Sequence, residues 1–156
     1  MHPQLQALFD EAENRYLKPQ ELSLLSQYVS SLPARLDAYR TLRDRELEVM
    51  QRVADQLQAE MPQEEVATLE RSIKNALLVL RYCSMGMLLN DETFVQTRLL
   101  NWLSQSMNVY HTQRIDQTLY RLLNQFLAQA LNANQMSLLQ PQIKLAQDFL
   151  LQQPTP

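Results

Sequence analysis

Glycine occurs once in the 156 residues, at Gly86. Hairpins and bulges draw on glycine for positive φ, so its scarcity excludes a β-rich fold and points to an all-α chain. The same lack excludes glycine-rich phosphate cradles, because neither a Walker loop nor a dinucleotide fingerprint can be written without glycine. Cysteine also occurs once, at Cys83. An intramolecular disulfide and a Cys₂His₂ or Cys₄ zinc site are therefore excluded. The longest apolar run, Ala76 to Leu89, has 14 residues and contains Arg81, too short and too polar to cross a bilayer. Positions 1–20 hold Asp10, Glu11, Glu13 and Arg15 and no apolar core, so no signal peptide is expected. A net charge of −3 gives no electrostatic case for nucleic acid. The two histidines, His2 and His111, have no ligand partner in the sequence, so no metal is expected.

What is present is apolar and helical. Apolar residues make up 46% of the chain and charged residues 20%, a globular composition of one-domain length. The expectation is a single cytoplasmic domain over 1–156: N-terminal helices over 1–33, a helical core over 34–152 and a tail at 153–156. An opening helix at 3–14 reads as half of a hairpin. Pro19 suits the first turn of a helix carrying Leu22, Leu25, Tyr28, Val29 and Leu32. Pro33 predicts a break or kink, with another helix from Leu36 to Leu57. Pro62 predicts the start of the next, with Glu64 and Glu65 in a first turn that favours carboxylates. That helix, 63–89, is apolar on nearly all sides, which predicts the central one. Asn90 reads as its stop and Asp91 as the cap of a helix running to Met107. Thr112 is predicted to cap 113–132, and a last helix spans about 135–152, with Pro141 near its start.

Charge is uneven: residues 1–75 hold 22 of the 31 Asp, Glu, Lys and Arg, and residues 99–156 hold five. The C-terminal surface is neutral and polar, as solvated faces and interface cores both can be. Carboxylates such as Glu64-Glu65 and Asp44/Glu46/Glu48 alternate with arginines and read as solvated helical pairs, not as a general acid and base. No Ser/His/Asp constellation is present, so no enzyme is expected. Arg81, inside an apolar run, must either snorkel or meet an acid, within the fold or across a subunit boundary, because an unpaired buried guanidinium is costly. Cys83 beside it reads as a core filler.

The stretch Leu80-Arg81-Tyr82-Cys83-Ser84-Met85-Gly86-Met87-Leu88-Leu89-Asn90-Asp91 resembles the "LRYVTYAxLAGD" segment of phycobiliproteins, the antenna subunits of phycobilisomes. Ser26-Gln27-Tyr28-Val29 followed by Arg35-Leu36-Asp37 matches that family's "SNLV … RLD" at the same spacing. Ala12-Glu13 with Tyr16-Leu17 is similar to its "AD…FLS" entry to the fold, two residues shorter. The resemblance implies a globin-like helical fold with an N-terminal helical hairpin. It also implies subunit contact through that hairpin, in which Glu13 and Arg81, with Tyr16 and Tyr82 alongside, form the interface.

The departures bear on function. The family attaches a linear tetrapyrrole to a cysteine nine residues before the Arg of "LRY", followed by an Arg and an Asp. Those positions here are Ser72, Lys74 and Asn75, so the nucleophilic thiolate and the acid are both missing. Cys83 lies 11 residues beyond Ser72, about 16 Å along a helix axis, and cannot replace the missing thiol without a different pocket. The loop before the central helix is also short. The resemblance therefore implies a non-chromophorylated, phycobiliprotein-like accessory protein of phycobilisomes or pigment–protein assembly. Its partner would be a second copy or an antenna-type subunit, met in the cytoplasm or, through partners, at the thylakoid surface. A second reading is a non-covalent bilin carrier or sensor at the degenerate Ser72/Lys74/Asn75 site. A third is a chromophore lyase or detachment factor.

Overall fold

In the computed structural model, which describes residues 2–151, the chain folds into seven α-helices, and no strand occurs among the described residues. They are α1 (Pro3–Ala12), α2 (Pro19–Glu60), α3 (Val66–Leu89), α4 (Glu92–Val95), α5 (Asn101–Tyr110), α6 (Gln113–Ala130) and α7 (Ala133–Leu151), with a π-helical turn (Gln96–Leu100) joining α4 to α5. The all-α, globin-like fold class read from the sequence holds. The tail at 153–156 lies outside the described residues.

α3 is the central helix, packed against α2, α4, α6 and α7. Val79, Leu80, Cys83 and Met87 of α3 are fully buried and meet Leu42, Val49 and Val53 of α2, Leu119 and Leu123 of α6, and Leu139, Ile143 and Ala146 of α7 in one continuous core. α3 ends as its sequence predicts. Asn90 takes the left-handed conformation with φ 50°, and the Asp91 carboxylate accepts from the Thr93 N–H at 2.9 Å to start α4.

Two predicted boundaries are corrected. Pro33 does not break a helix, since α2 runs unbroken through it for 42 residues, and the division at 33 falls in mid-helix. Proline removes one backbone hydrogen bond and crowds the preceding turn, at a cost of about 3 kcal/mol. Contacts on both sides of it offset that cost. Ser31 donates its hydroxyl to the Tyr28 carbonyl at 2.8 Å. Beyond the proline, Arg35 donates to the Met87 carbonyl at 2.7 Å and to Asn90 Oδ1 at 3.1 Å. Before it, the Tyr28 hydroxyl donates to the Leu88 carbonyl. Both sides of the proline are thus pinned to the C-terminal end of α3. The second correction is at the start of α3, which begins at Val66 with Glu65 as its N-cap, not at 63. Met61 is buried, and the Glu64 N–H bonds the Met61 carbonyl, so 62–64 form a turn that tucks Met61 into the core.

Thr112 precedes α6 as predicted, but its hydroxyl does not cap the helix backbone. It donates instead to Asp116 Oδ2 at 2.7 Å. Pro141 lies inside α7, which begins at Ala133.

Candidate functional site

Two faces of the central helix carry the residues singled out in the sequence. On one, a cleft of about 510 Å³ opens between α2, α3 and α4. Leu42 and Leu80 are buried beneath it, and Tyr82 and Phe94 stack beside it with ring centroids 5.8 Å apart. Arg43 and Arg81 stand among its lining residues. Arg81 lies on the outer side of α3, 60% exposed, and meets an acid within the fold: Nε donates to Glu46 Oε1 at 2.8 Å and Nη2 to Glu46 Oε2 at 3.0 Å. That carboxylate holds the guanidinium's pKa above its ordinary value. Within one chain, Arg81 therefore pairs with Glu46 and not with Glu13.

Glu13 follows α1 and is exposed, and Tyr16 is 99% exposed. α1 presents an unpartnered apolar edge. Leu5 is buried against the body, whereas Ala7 and Phe9 face solvent and Leu8 is half-buried. Leu22 and Val29 of α2 are also exposed. The α1–α2 connection is fixed by Arg15, which donates to both carboxylate oxygens of Glu21 at 2.9 and 2.8 Å. With the Lys18 N–H added at 2.7 Å, these bonds lower the Glu21 pKa to about 2. The N-terminal arm is therefore a defined helical element that carries an exposed apolar edge and the acids Asp10, Glu11 and Glu13.

On the other face lies the position of the missing cysteine. Ser72 is 2% exposed and its hydroxyl faces the carboxylate of Asp116, itself 3% exposed. Thr112 supplies the second hydroxyl to that carboxylate. Burial raises the Asp116 pKa, and the two neighbouring hydroxyls offset only part of the rise. Lys74 is exposed and Asn75 half-buried. Arg71, one residue before Ser72, stacks its guanidinium on Tyr110 at 4.0 Å and ties α3 to α5. Cys83 is fully buried, and burial pushes its thiol up to about 12, far from the thiolate that nucleophilic chemistry requires.

A raised carboxylate pKa stabilises the protonated form in the fold. Stability is then fully present below the unfolded value of about 3.9 and is lost as pH rises through the folded value. Asp116→Asn should remove that loss, so its thermal midpoint should vary less with pH than that of the wild type and equal or exceed it at pH 7. A midpoint that falls equally in variant and wild type would place the pH dependence elsewhere.

The profile that describes phycobilisome proteins matches residues 9–142. The chain belongs to the phycobilisome protein family. No curated protein matches it in a sequence search. Membership agrees with the helical order and supports association with other phycobilisome subunits. Among the described residues, no helix of this phycobilisome protein is long and apolar enough to cross a membrane.

Sequence reasoning missed two acids that matter to these faces. Glu46 reads as a solvated neighbour of Asp44 and Glu48, and its partner lies 35 residues away. Asp116 shares the apolar face of α6 with Leu119, Tyr120 and Leu123, all buried. That position was the available sign that the acid points inward.

Proposed function

We propose that this phycobilisome protein is a non-chromophorylated accessory subunit that binds other subunits and is not an enzyme. One observation carries the reading. The side chain at the attachment position is a hydroxyl, buried and engaged with Asp116, and the lone thiol at Cys83 is buried and protonated. Thioether formation needs an accessible thiolate, and neither residue supplies one. The exposed apolar edge at Ala7 and Phe9 is the kind of patch that a partner covers. Its acids complement the Arg43 and Arg81 rim of the cleft. The occupant of that cleft is the N-terminal arm of a second copy or of an antenna-type subunit. In this pairing Glu13 and Tyr16 approach Arg81 and Tyr82, and Arg81 Nη1, which Glu46 leaves unbonded, receives the incoming acid.

Co-expression with bilin synthesis and lyases, followed by zinc-enhanced fluorescence of a denaturing gel, tests the first half. No fluorescent band is expected at the protein's mass, and a band that survives denaturation would overturn the reading. An absorption band lost on denaturation would assign the chain instead to non-covalent tetrapyrrole binding near Lys74. For the second half, Phe9→Asp places a charge on the apolar edge at a site 48% exposed, so the fold is expected to survive. It should weaken self-association, or association with an antenna subunit, at least tenfold, about 1.4 kcal/mol, in sedimentation. A wild type that stays monomeric and binds no such subunit would remove the docking role.

A further inference from the structure

A second cleft, of about 230 Å³, lies at the joint of α1, α2 and the end of α3. His2 and Leu5 line it from α1's end, Tyr28, Ser31 and Arg35 from α2, and Asn90 from the left-handed end of α3. No acid lines it. Asp91, next to Asn90, is buried, and its Oδ1 accepts from the N–H and hydroxyl of Thr93 at 2.9 and 2.8 Å.

Arg35 sets the chemistry of this cleft. Its guanidinium is half-buried and makes three hydrogen bonds, to Ser31 Oγ at 3.0 Å, the Met87 carbonyl at 2.7 Å and Asn90 Oδ1 at 3.1 Å. All three acceptors are neutral. Guanidinium has five N–H donors, so two remain. Desolvation by burial lowers the Arg35 pKa, and no carboxylate counters it. The C-terminal dipole of α3 offsets part of this charge. Arg15, Arg43, Arg45, Arg81 and Arg121 each have a carboxylate within salt-bridge distance, and the arginines that have none among the described residues are exposed except for Arg35. The His2 imidazole, whose Nδ1 accepts from the Gln4 N–H, and the Asn90 side-chain amide add donor groups around the same space, and the volume accommodates a phosphate-sized group.

We propose that this cleft binds a small oxyanion, a phosphate or a carboxylate, held by Arg35 with His2 and Asn90. Charge-assisted bonds to an oxyanion would use the spare guanidinium donors. The ligand would bridge α1, α2 and α3, and so fix the N-terminal arm to the body. The proposal does not depend on what docks on the arm.

Amide shifts of the ¹⁵N-labelled full chain test it, with sodium phosphate titrated against sodium chloride at matched ionic strength. Saturable shifts are expected at Tyr28, Arg35, Asn90 and the first residues of α1, with half-saturation at low millimolar phosphate. A parallel titration with acetate separates the two sources: tighter phosphate assigns a phosphate group, and tighter acetate assigns a carboxylate. Arg35→Gln should abolish the saturable shifts. Because Arg35 also holds the end of α3, His2→Ser serves as the second variant. Serine keeps a capping acceptor for α1 while removing the imidazole, and should weaken binding several-fold. Shifts that do not saturate, that chloride reproduces, that centre elsewhere, or that His2→Ser leaves unchanged would overturn the site.

Discussion

Leu80→Ala is expected to lower the free energy of unfolding by about 2–5 kcal/mol, the range for emptying a packed leucine site. Leu80 is 2% exposed on the central helix, in the core that α2, α3, α6 and α7 share. Its neighbours are fixed by their own helices, so the vacated space cannot close cheaply. Urea denaturation measures the loss as a lower midpoint at unchanged slope. Leu47 on α2 is the control. It is 81% exposed, and Leu47→Ala should stay within about 0.5 kcal/mol of the wild type. Equal effects at the two positions would contradict the central placement of α3.

Gly86→Val is expected to cost about 3 kcal/mol, at the upper end of overpacking effects. A Cβ built on Gly86 would stand 2.7 Å from Gln142 Oε1, 3.1 Å from Gln142 Cδ and 3.2 Å from Val95 Cγ2. Gln142 is 4% exposed and donates through Nε2 to the Asp91 carbonyl, so it cannot swing aside freely. The single glycine of the chain therefore lies at a close approach of α3 to α7 and α4, and not in a turn. Gly86→Ala should cost less, because alanine gains about 1 kcal/mol of helix propensity that offsets part of the clash. Thermal midpoints that rank wild type above Ala above Val would support this, and a Val variant as stable as the wild type would refute it.

The features legible in the sequence are those decided within a few residues. Asn90 and Asp91 end one helix and cap the next through their own backbone and side-chain bonds, so their types announce their roles. The lack of glycine foretold the helical class because hairpin chemistry is also local. Pro33 misled because the contacts that carry α2 past it come from Met87, Leu88 and Asn90, more than 50 residues away in the chain. The π-turn at Gln96–Leu100 had no sequence signal. The same distinction applies to the site. The absence of a thiol at Ser72 could be read directly, whereas the inward turn of Ser72 depends on Asp116 in another helix. Arg81 stood out in the sequence as a charge inside an apolar run, but a helical spacing pattern could not show that Glu46, 35 residues away, would be its partner within the chain.

The unbroken α2 also has a dynamic consequence. Its first buried residue is Ala38, and from Leu42 to Leu57 its inner face lies in the core. The helix before Pro33 is held by half-buried contacts alone, and proline has deleted one rung of its backbone ladder. Opening free energy follows buried contact, not helical continuity. One helix should then show two exchange regimes. Amides of Leu22 to Leu32 should trade hydrogen through small local openings, whereas those of Val49 to Leu57 should wait for the whole molecule to unfold. Covering the arm with a partner would slow the first group towards the second.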